Sequence, residues 1–142
     1  MSMNLKEKWI DKKYEKLSWK ELAEKSVSVI SGVSEEDVEG LKKAFGIDTI
    51  REFTENKYLN IAQGINCFSK VSTSILTKQF ESKEFEELRE KPVHAIAGVS
   101  EGDAELLKKA FGIDTIQELA ENKYVCIAQT IVSLAFLEEL VS

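Results

Sequence analysis

Proline occurs once in this 142-residue chain, at Pro92, histidine once, at His94, and glycine only seven times. So few breakers, with many Glu, Lys, Leu and Ala, favour helix. One histidine cannot build an ordinary zinc site, and neither cysteine lies near it in sequence. Cys67 and Cys126 form no CxxC pair and occupy non-equivalent places in the repeat described below, so two reduced, packed thiols are expected rather than a structural disulfide. The phosphate-binding loop, the dinucleotide fingerprint and the HExxH zinc motif are all missing. Carboxylates are plentiful but sit at helical intervals beside lysines, as on a solvated face. Neighbours such as Glu86-Glu87 and Glu138-Glu139 point in different directions on a helix and make no dyad. No catalytic residue, metal, cofactor or small-molecule substrate is therefore expected, and the chain is not expected to be an enzyme. Positive charge is also in deficit. With 19 Lys and Arg against 25 Asp and Glu the net charge is -6, which makes a poor general ligand for phosphate backbones. The N-terminus has no apolar signal-like run. The most apolar stretch, Val125 to Leu137, is interrupted by Gln129, Thr130 and Ser133 and is too short for a bilayer at about 1.5 Å per residue. A cytoplasmic protein without a membrane segment is expected.

What is present, above all, is a repeat. KSVSVISGVSEEDVEGLKKAFGIDTIREFTENKYLNIAQGI begins at Lys25, and KPVHAIAGVSEGDAELLKKAFGIDTIQELAENKYVCIAQTI begins at Lys91. The offset is constant, Gly32 to Gly98, with no gap, and about two-thirds of the aligned residues are identical. Upstream only apolar character survives: Trp9 aligns with Ile75, Ile10 with Leu76, Tyr14 with Phe80, Trp19 with Phe85 and Leu22 with Leu88. The chain thus divides into unit 1, residues 1–70, and unit 2, residues 71–142. The apolar fraction of 43% suffices for a buried core.

Punctuation within a unit predicts its helices. Leu5 to Leu17 puts Trp9, Ile10, Tyr14 and Leu17 on one face and reads as an amphipathic helix with a basic back. Trp19 and Leu22 start a short helix, and Gly32 marks a tight hairpin. Ser34 caps the next helix, with Asp37 at the capping-box position, Val38, Leu41 and Phe45 inside, and Gly46 as its terminating glycine. Thr49 with Glu52 opens another helix, and Asn56 opens the last. Ser100, Gly112, Thr115 and Asn122 repeat these marks. Lys70 to Lys78 holds neither proline nor glycine, so the last helix of unit 1 can run on into unit 2, with Ser72, Thr73 and Ser74 the place for a break. No apolar-polar alternation flanked by turns suggests a strand. The expected class is all-α: two tandem copies of a small helical unit.

The run I-x-G-V-S-E-x-D-x-x-x-L-K-K-A-F-G-I-D-T-I-x-E-L/F resembles helix-hairpin-helix (SAM-like) proteins. It is similar in particular to the helical C-terminal domain of the bacterial RNA polymerase alpha subunit and to the N-terminal domain of archaeal recombinases. The resemblance spans about 25 residues in each unit. Modules of this kind serve DNA binding in some proteins and protein contacts in others. The DNA-binding hairpin is usually hydrophobic-Gly-hydrophobic-Gly, whose second glycine lets backbone N–H groups meet a phosphate. Here Ile30-Ser31-Gly32-Val33-Ser34 and Ile96-Ala97-Gly98-Val99-Ser100 both carry serine at that place. Glu35, Glu36, Asp37, Glu101 and Asp103 follow, where an anion would dock.

Two sets of residues are candidates for function. The resemblance implies phosphate contacts at Gly32, Val33, Ser34, Gly98, Val99 and Ser100, with Lys42, Lys43, Lys108 and Lys109 as the best basic pairs, although lysine near a helix C-terminus is already suited to the dipole. The second set is a partner interface. The C-terminal helix is apolar on more than one face, with Ile131, Leu134, Phe136, Leu137, Leu140 and Val141, so it must be buried between the units or in another chain. Trp9 and Tyr14 on the lysine-rich N-terminal helix join this set, with packing on unit 1 as the plainer reading. Tyr58 and Tyr124 either stack a partner or, more simply, close the core. The favoured expectation is a non-catalytic interaction or scaffold module, self-association included. The alternative is a nucleic-acid-binding protein with two hairpins on phosphates; an accessory subunit of a separate enzyme is a third reading.

Overall fold

The computed structural model describes residues 5–75 and 83–141, and no strand occurs among them. Nine α-helices are described: α1 Leu5–Trp9, α2 Trp19–Ala23, α3 Glu35–Phe45, α4 Ile50–Glu55, α5 Lys57–Ile75, α6 Lys83–Leu88, α7 Glu101–Phe111, α8 Ile116–Glu121 and α9 Lys123–Val141. Short 3-10 turns lie at Lys12–Tyr14, Val27–Val29 and Val93–Ala95. From Val27 onward the elements recur at the offset of the sequence repeat.

Local chemistry sets the boundaries. Ser34 Oγ accepts from Asp37 N at 3.0 Å while Asp37 accepts from Ser34 N at 3.1 Å, a reciprocal capping box that Ser100 and Asp103 repeat. Thr49 with Glu52, and Thr115 with Glu118, cap α4 and α8 in the same way. Each Glu carboxyl also accepts the preceding Asp N–H, and these backbone donors hold Glu52 and Glu118 below the usual carboxylate range. Gly46 and Gly112 end α3 and α7 at φ 70° and 69°, left-handed values that a side chain would strain. Asn56 Oδ1 accepts from Tyr58 N and Leu59 N, and Asn122 Oδ1 from Tyr124 N, which starts α5 and α9.

Two boundaries differ from expectation. The N-terminal helix stops at Trp9 instead of continuing to Leu17. Asp11 N donates to Val29 O at 2.9 Å and Ser31 N donates to Trp9 O at 2.7 Å, so this backbone is diverted to the Gly32 turn and Ile10 is driven into the core. The last helix of unit 1 passes unbroken through Ser72, Thr73 and Ser74 to Ile75, because nothing there removes a backbone donor. Leu76 and Phe80, aligned with Ile10 and Tyr14, lie outside the described residues. The two cysteines are free, as expected, but both are exposed rather than packed.

The two units exchange their last helices. Helix α9 of unit 2 packs on α2 and α4 of unit 1, while α5 of unit 1 packs on α8 and α6 of unit 2. Between them α3 lies against α7, and Gly40 faces Ala110 and the carbonyl of Leu106. The arrangement has an approximate internal two-fold relation. Gln63 and Gln129, equivalent in the repeat, donate to each other's amide oxygens at 3.1 and 2.9 Å. Phe53 of unit 1 stacks on Phe111 of unit 2 with ring centroids 6.4 Å apart. Buried residues from both units form one cluster, including Leu22, Leu41, Ile50, Phe53, Leu59, Leu107, Ile113, Ile116, Leu119 and Ile131. Each such side chain contributes about 1.5–3 kcal/mol of transfer free energy. Helix α9 is 19 residues long with mean hydropathy 1.6, the length and apolarity of a membrane span, and so exceeds the Val125–Leu137 run. One face of it is nevertheless core: Val125, Ala128, Ile131 and Ala135 are buried.

Candidate interaction surface

Any phosphate contact at the two glycine turns depends on free backbone donors there. Gly32 and Gly98 adopt φ 93° and 96° and are exposed. Each is covered by a tyrosine of the other unit. A Cβ on Gly32 would lie 2.8 Å from Tyr124 Oη, and one on Gly98 would lie 2.6 Å from Tyr58 Oη. Tyr58 Oη also donates a long hydrogen bond to Gly98 O at 3.5 Å. Both tyrosines are half-buried, with rings against Phe45 and Phe111 at centroid distances of 5.0 and 5.3 Å. They close the core, and their hydroxyls stand beside the turns, which stay open to solvent.

Several of the nearby donors are also engaged. Val33 N donates to Ile30 O and Val99 N to Ile96 O, both at 3.1 Å. The amides of Ser34, Asp37, Ser100 and Asp103 serve the capping boxes. The side chains of Val33 and Val99 are buried. Lys42, Lys43, Lys108 and Lys109 are exposed at the ends of α3 and α7. Lys43 and Lys109 line a shallow cleft over the α3–α7 contact together with Glu36, Asp37 and Glu39, so carboxylates intersperse the basic pairs.

The residues assigned to a partner interface fall into three places. Ile131 is fully buried, which corrects its assignment: it faces the α2–α4 side and belongs to the core. Leu134 is half-buried. Phe136, Leu137, Leu140 and Val141 stay exposed at 62%, 52%, 64% and 86%, despite being the most apolar side chains on the outer face of α9. Trp9 and Tyr14 are half-buried against the core. Trp9 lines a separate cleft with Lys8, Ser31, Tyr124 and Ile127 at the start of α9. Ile127 and Phe136 are about 14 Å apart along the helix, so the two places are distinct.

An open groove of about 730 Å³ runs beside the exposed stripe, with Val132, Ala135, Phe136 and Leu137 as its apolar wall and Ser133 among them. Its rim is Lys20, Glu24, Arg51 and Glu139. Lys20 pairs with Glu139 and Arg51 with Glu24. Pairing raises the Lys20 pKa and lowers that of Glu139, in both cases through their shared hydrogen bond and charge attraction. Trp19 N donates to Glu138, which ties the end of α9 to the start of α2.

The corresponding contact on the other side of the molecule is polar. Glu121 at the end of α8 accepts from Asn66 Nδ2 at 2.9 Å and pairs with Lys70, both on α5. The lysine first, then the amide, draws the Glu121 pKa down to about 2. At the repeat offset, Asn66 and Lys70 become Val132 and Phe136 on α9. Sequence reading found the apolar excess of α9 but not this substitution, although aligning the two copies beyond Ile65 exposes it.

No family model matches the chain. Neither curated proteins nor solved structures give a significant match. Among the described residues no group of three or more His, Cys, Asp or Glu side chains could hold a metal ion, and His94 is exposed.

Proposed function

We propose that this chain is a non-catalytic protein-interaction module of the cytoplasm, built from two interlocked helix-hairpin-helix units, whose docking face is the outer side of α9. The observation that carries this reading is the exposure of Phe136, Leu137, Leu140 and Val141 in a stripe beside a formed groove. Together they present on the order of 500 Å² of apolar surface, at the upper end of what a monomer leaves to water. The glycine turns support the same choice: the amides of Ser34 and Ser100 serve capping boxes, and a tyrosine hydroxyl stands beside each glycine.

A photo-crosslinking residue at Leu137, expressed in the native host, tests the proposal. A covalent protein adduct is expected from Leu137 and not from the same residue placed at Glu39 on α3. The nucleic-acid alternative predicts duplex binding that weakens steeply with salt and vanishes when Lys42, Lys43, Lys108 and Lys109 become Glu. Anisotropy titration showing both effects, with no adduct at Leu137, would replace the proposed reading.

A further inference from the structure

We infer that the partner on α9 is a second copy of this chain, docked α9 against α9 in antiparallel fashion about a two-fold axis; this rests on α9 being the docking face. Three observations lead there. First, the repeat supplies its own control. Helix α5 carries Asn66, Ser69 and Lys70 where α9 carries Val132, Ala135 and Phe136. On α5 Asn66 and Lys70 hold Glu121, whereas on α9 Phe136 is 62% exposed. Val132 and Ala135 pack against or within the core, so of the three changes only Lys70 to Phe136 leaves a large apolar side chain in water, where the fold gains nothing from it.

Second, the groove is complementary to itself. A two-fold contact presses one patch on an identical one, so its charges must not repel. The rim offers two cations, Lys20 and Arg51, and two carboxylates, Glu24 and Glu139, around an apolar centre. Net charge on the rim is zero although the chain carries -6. In an antiparallel register with Phe136 opposite Ser133 and Leu137 opposite Val132, large side chains meet small or medium ones.

Third, the area is sufficient. Two copies of the exposed stripe bring on the order of 1,000 Å² together before the groove walls are counted, the lower bound for a specific interface.

The test uses the full chain in sedimentation equilibrium from micromolar to several hundred micromolar, with Phe136→Glu and Leu137→Glu alongside. Both sites are exposed, so the variants should keep the wild-type circular dichroism, and the wild-type melting curve at dilutions where every form is monomeric. The expected result is a wild-type dimer whose dissociation constant rises about 30-fold or more in Phe136→Glu, as for loss of a central aromatic anchor. A second measurement needs no apolar change. Lys20→Glu and Glu139→Lys each unbalance the rim, so each should dimerise more weakly alone, and mixing them should give a heterodimer in native mass spectra. A wild-type chain that stays monomeric at the highest concentration, or a dimer indifferent to Phe136→Glu and Leu137→Glu, overturns the inference. The host crosslink at Leu137 separates the two levels. An adduct of twice the chain mass supports self-association. An adduct with a different protein overturns it but leaves α9 as a docking face, and no adduct removes both.

Discussion

Gly32→Ala measures the lock between units. Two costs are expected. Alanine at φ 93° sits in the left-handed half of conformational space, at about 1–2 kcal/mol. Its Cβ also falls 2.8 Å from Tyr124 Oη, so a ring packed on Phe111 must shift, at about 1–2 kcal/mol more. The ring carbons lie 3.6 Å away, an ordinary contact, so the hydroxyl alone is in the way. Tyr124→Phe by itself should therefore be nearly neutral, within about 0.5 kcal/mol. The double variant should recover the steric part and keep the backbone part. For a chain of this size about 1 kcal/mol moves the melting temperature by about 3–4 °C. Gly32→Ala should then melt about 6–15 °C lower, and Gly32→Ala with Tyr124→Phe about 3–8 °C lower. Thermal and urea unfolding of the four proteins gives the coupling directly. If removing the hydroxyl leaves the cost of Gly32→Ala unchanged, Tyr124 does not cover the turn and the exchanged arrangement of α5 and α9 is wrong.

Gln63→Ala should cost about 1 kcal/mol, because it strips the reciprocal partner from half-buried Gln129; changing both to Leu should cost less than the sum of the single changes, measured by urea unfolding. Ile131→Ala removes a fully buried side chain and should cost about 2–5 kcal/mol, whereas Phe136→Ala, on the exposed stripe of the same helix, should leave the melting temperature of the isolated chain almost unchanged. Lys70 and Asn66 draw the Glu121 carboxyl down to about 2 in the folded chain, below the ordinary carboxylate range, so the unfolded chain takes up its proton first. Its stabilising effect is full above about pH 4.5 and is lost as pH falls toward 2. Glu121→Gln should flatten acid unfolding in that window, with the size reduced by solvent screening of the exposed pair.

Most local structure could be read from the sequence because it is written in short-range chemistry. Ser34 with Asp37, Thr49 with Glu52, Asn56 and Gly46 each act within a few residues, and each appears twice. The core stripe of α3 was legible for the same reason, since helical spacing alone turns Val38 and Leu41 inward. The exchange of α5 and α9 was not legible. The two copies share most of their apolar positions, Ile65 and Ile131 among them, so helical periodicity alone does not decide between pairing within a copy and pairing between copies. The sequence signals that bear on it are long-range ones, such as two glutamines 66 residues apart that find each other. The break after Trp9 failed for a related reason. Its periodicity is helical, but its backbone donors and acceptors are claimed by residues 29–31, which no local pattern announces. At the candidate surface, the excess of apolar residues on α9 was visible, yet only the fold separates Ile131, which is core, from Phe136, which is not.

The exchange of last helices also has a consequence for synthesis. Chains leave the ribosome N-terminus first, and domains commonly fold as they emerge. Here α2 and α4 of the first unit wait for α9, whose last described residue is Val141. The first copy is therefore made in full, with its apolar faces uncovered, before its covering helix exists. Until then its own α5 is the nearest substitute, a helix bearing Asn66, Ser69 and Lys70 where α9 bears Val132, Ala135 and Phe136. Those polar positions make the early, within-copy closure a poor fit, and so leave the nascent first half open to the helix that arrives last.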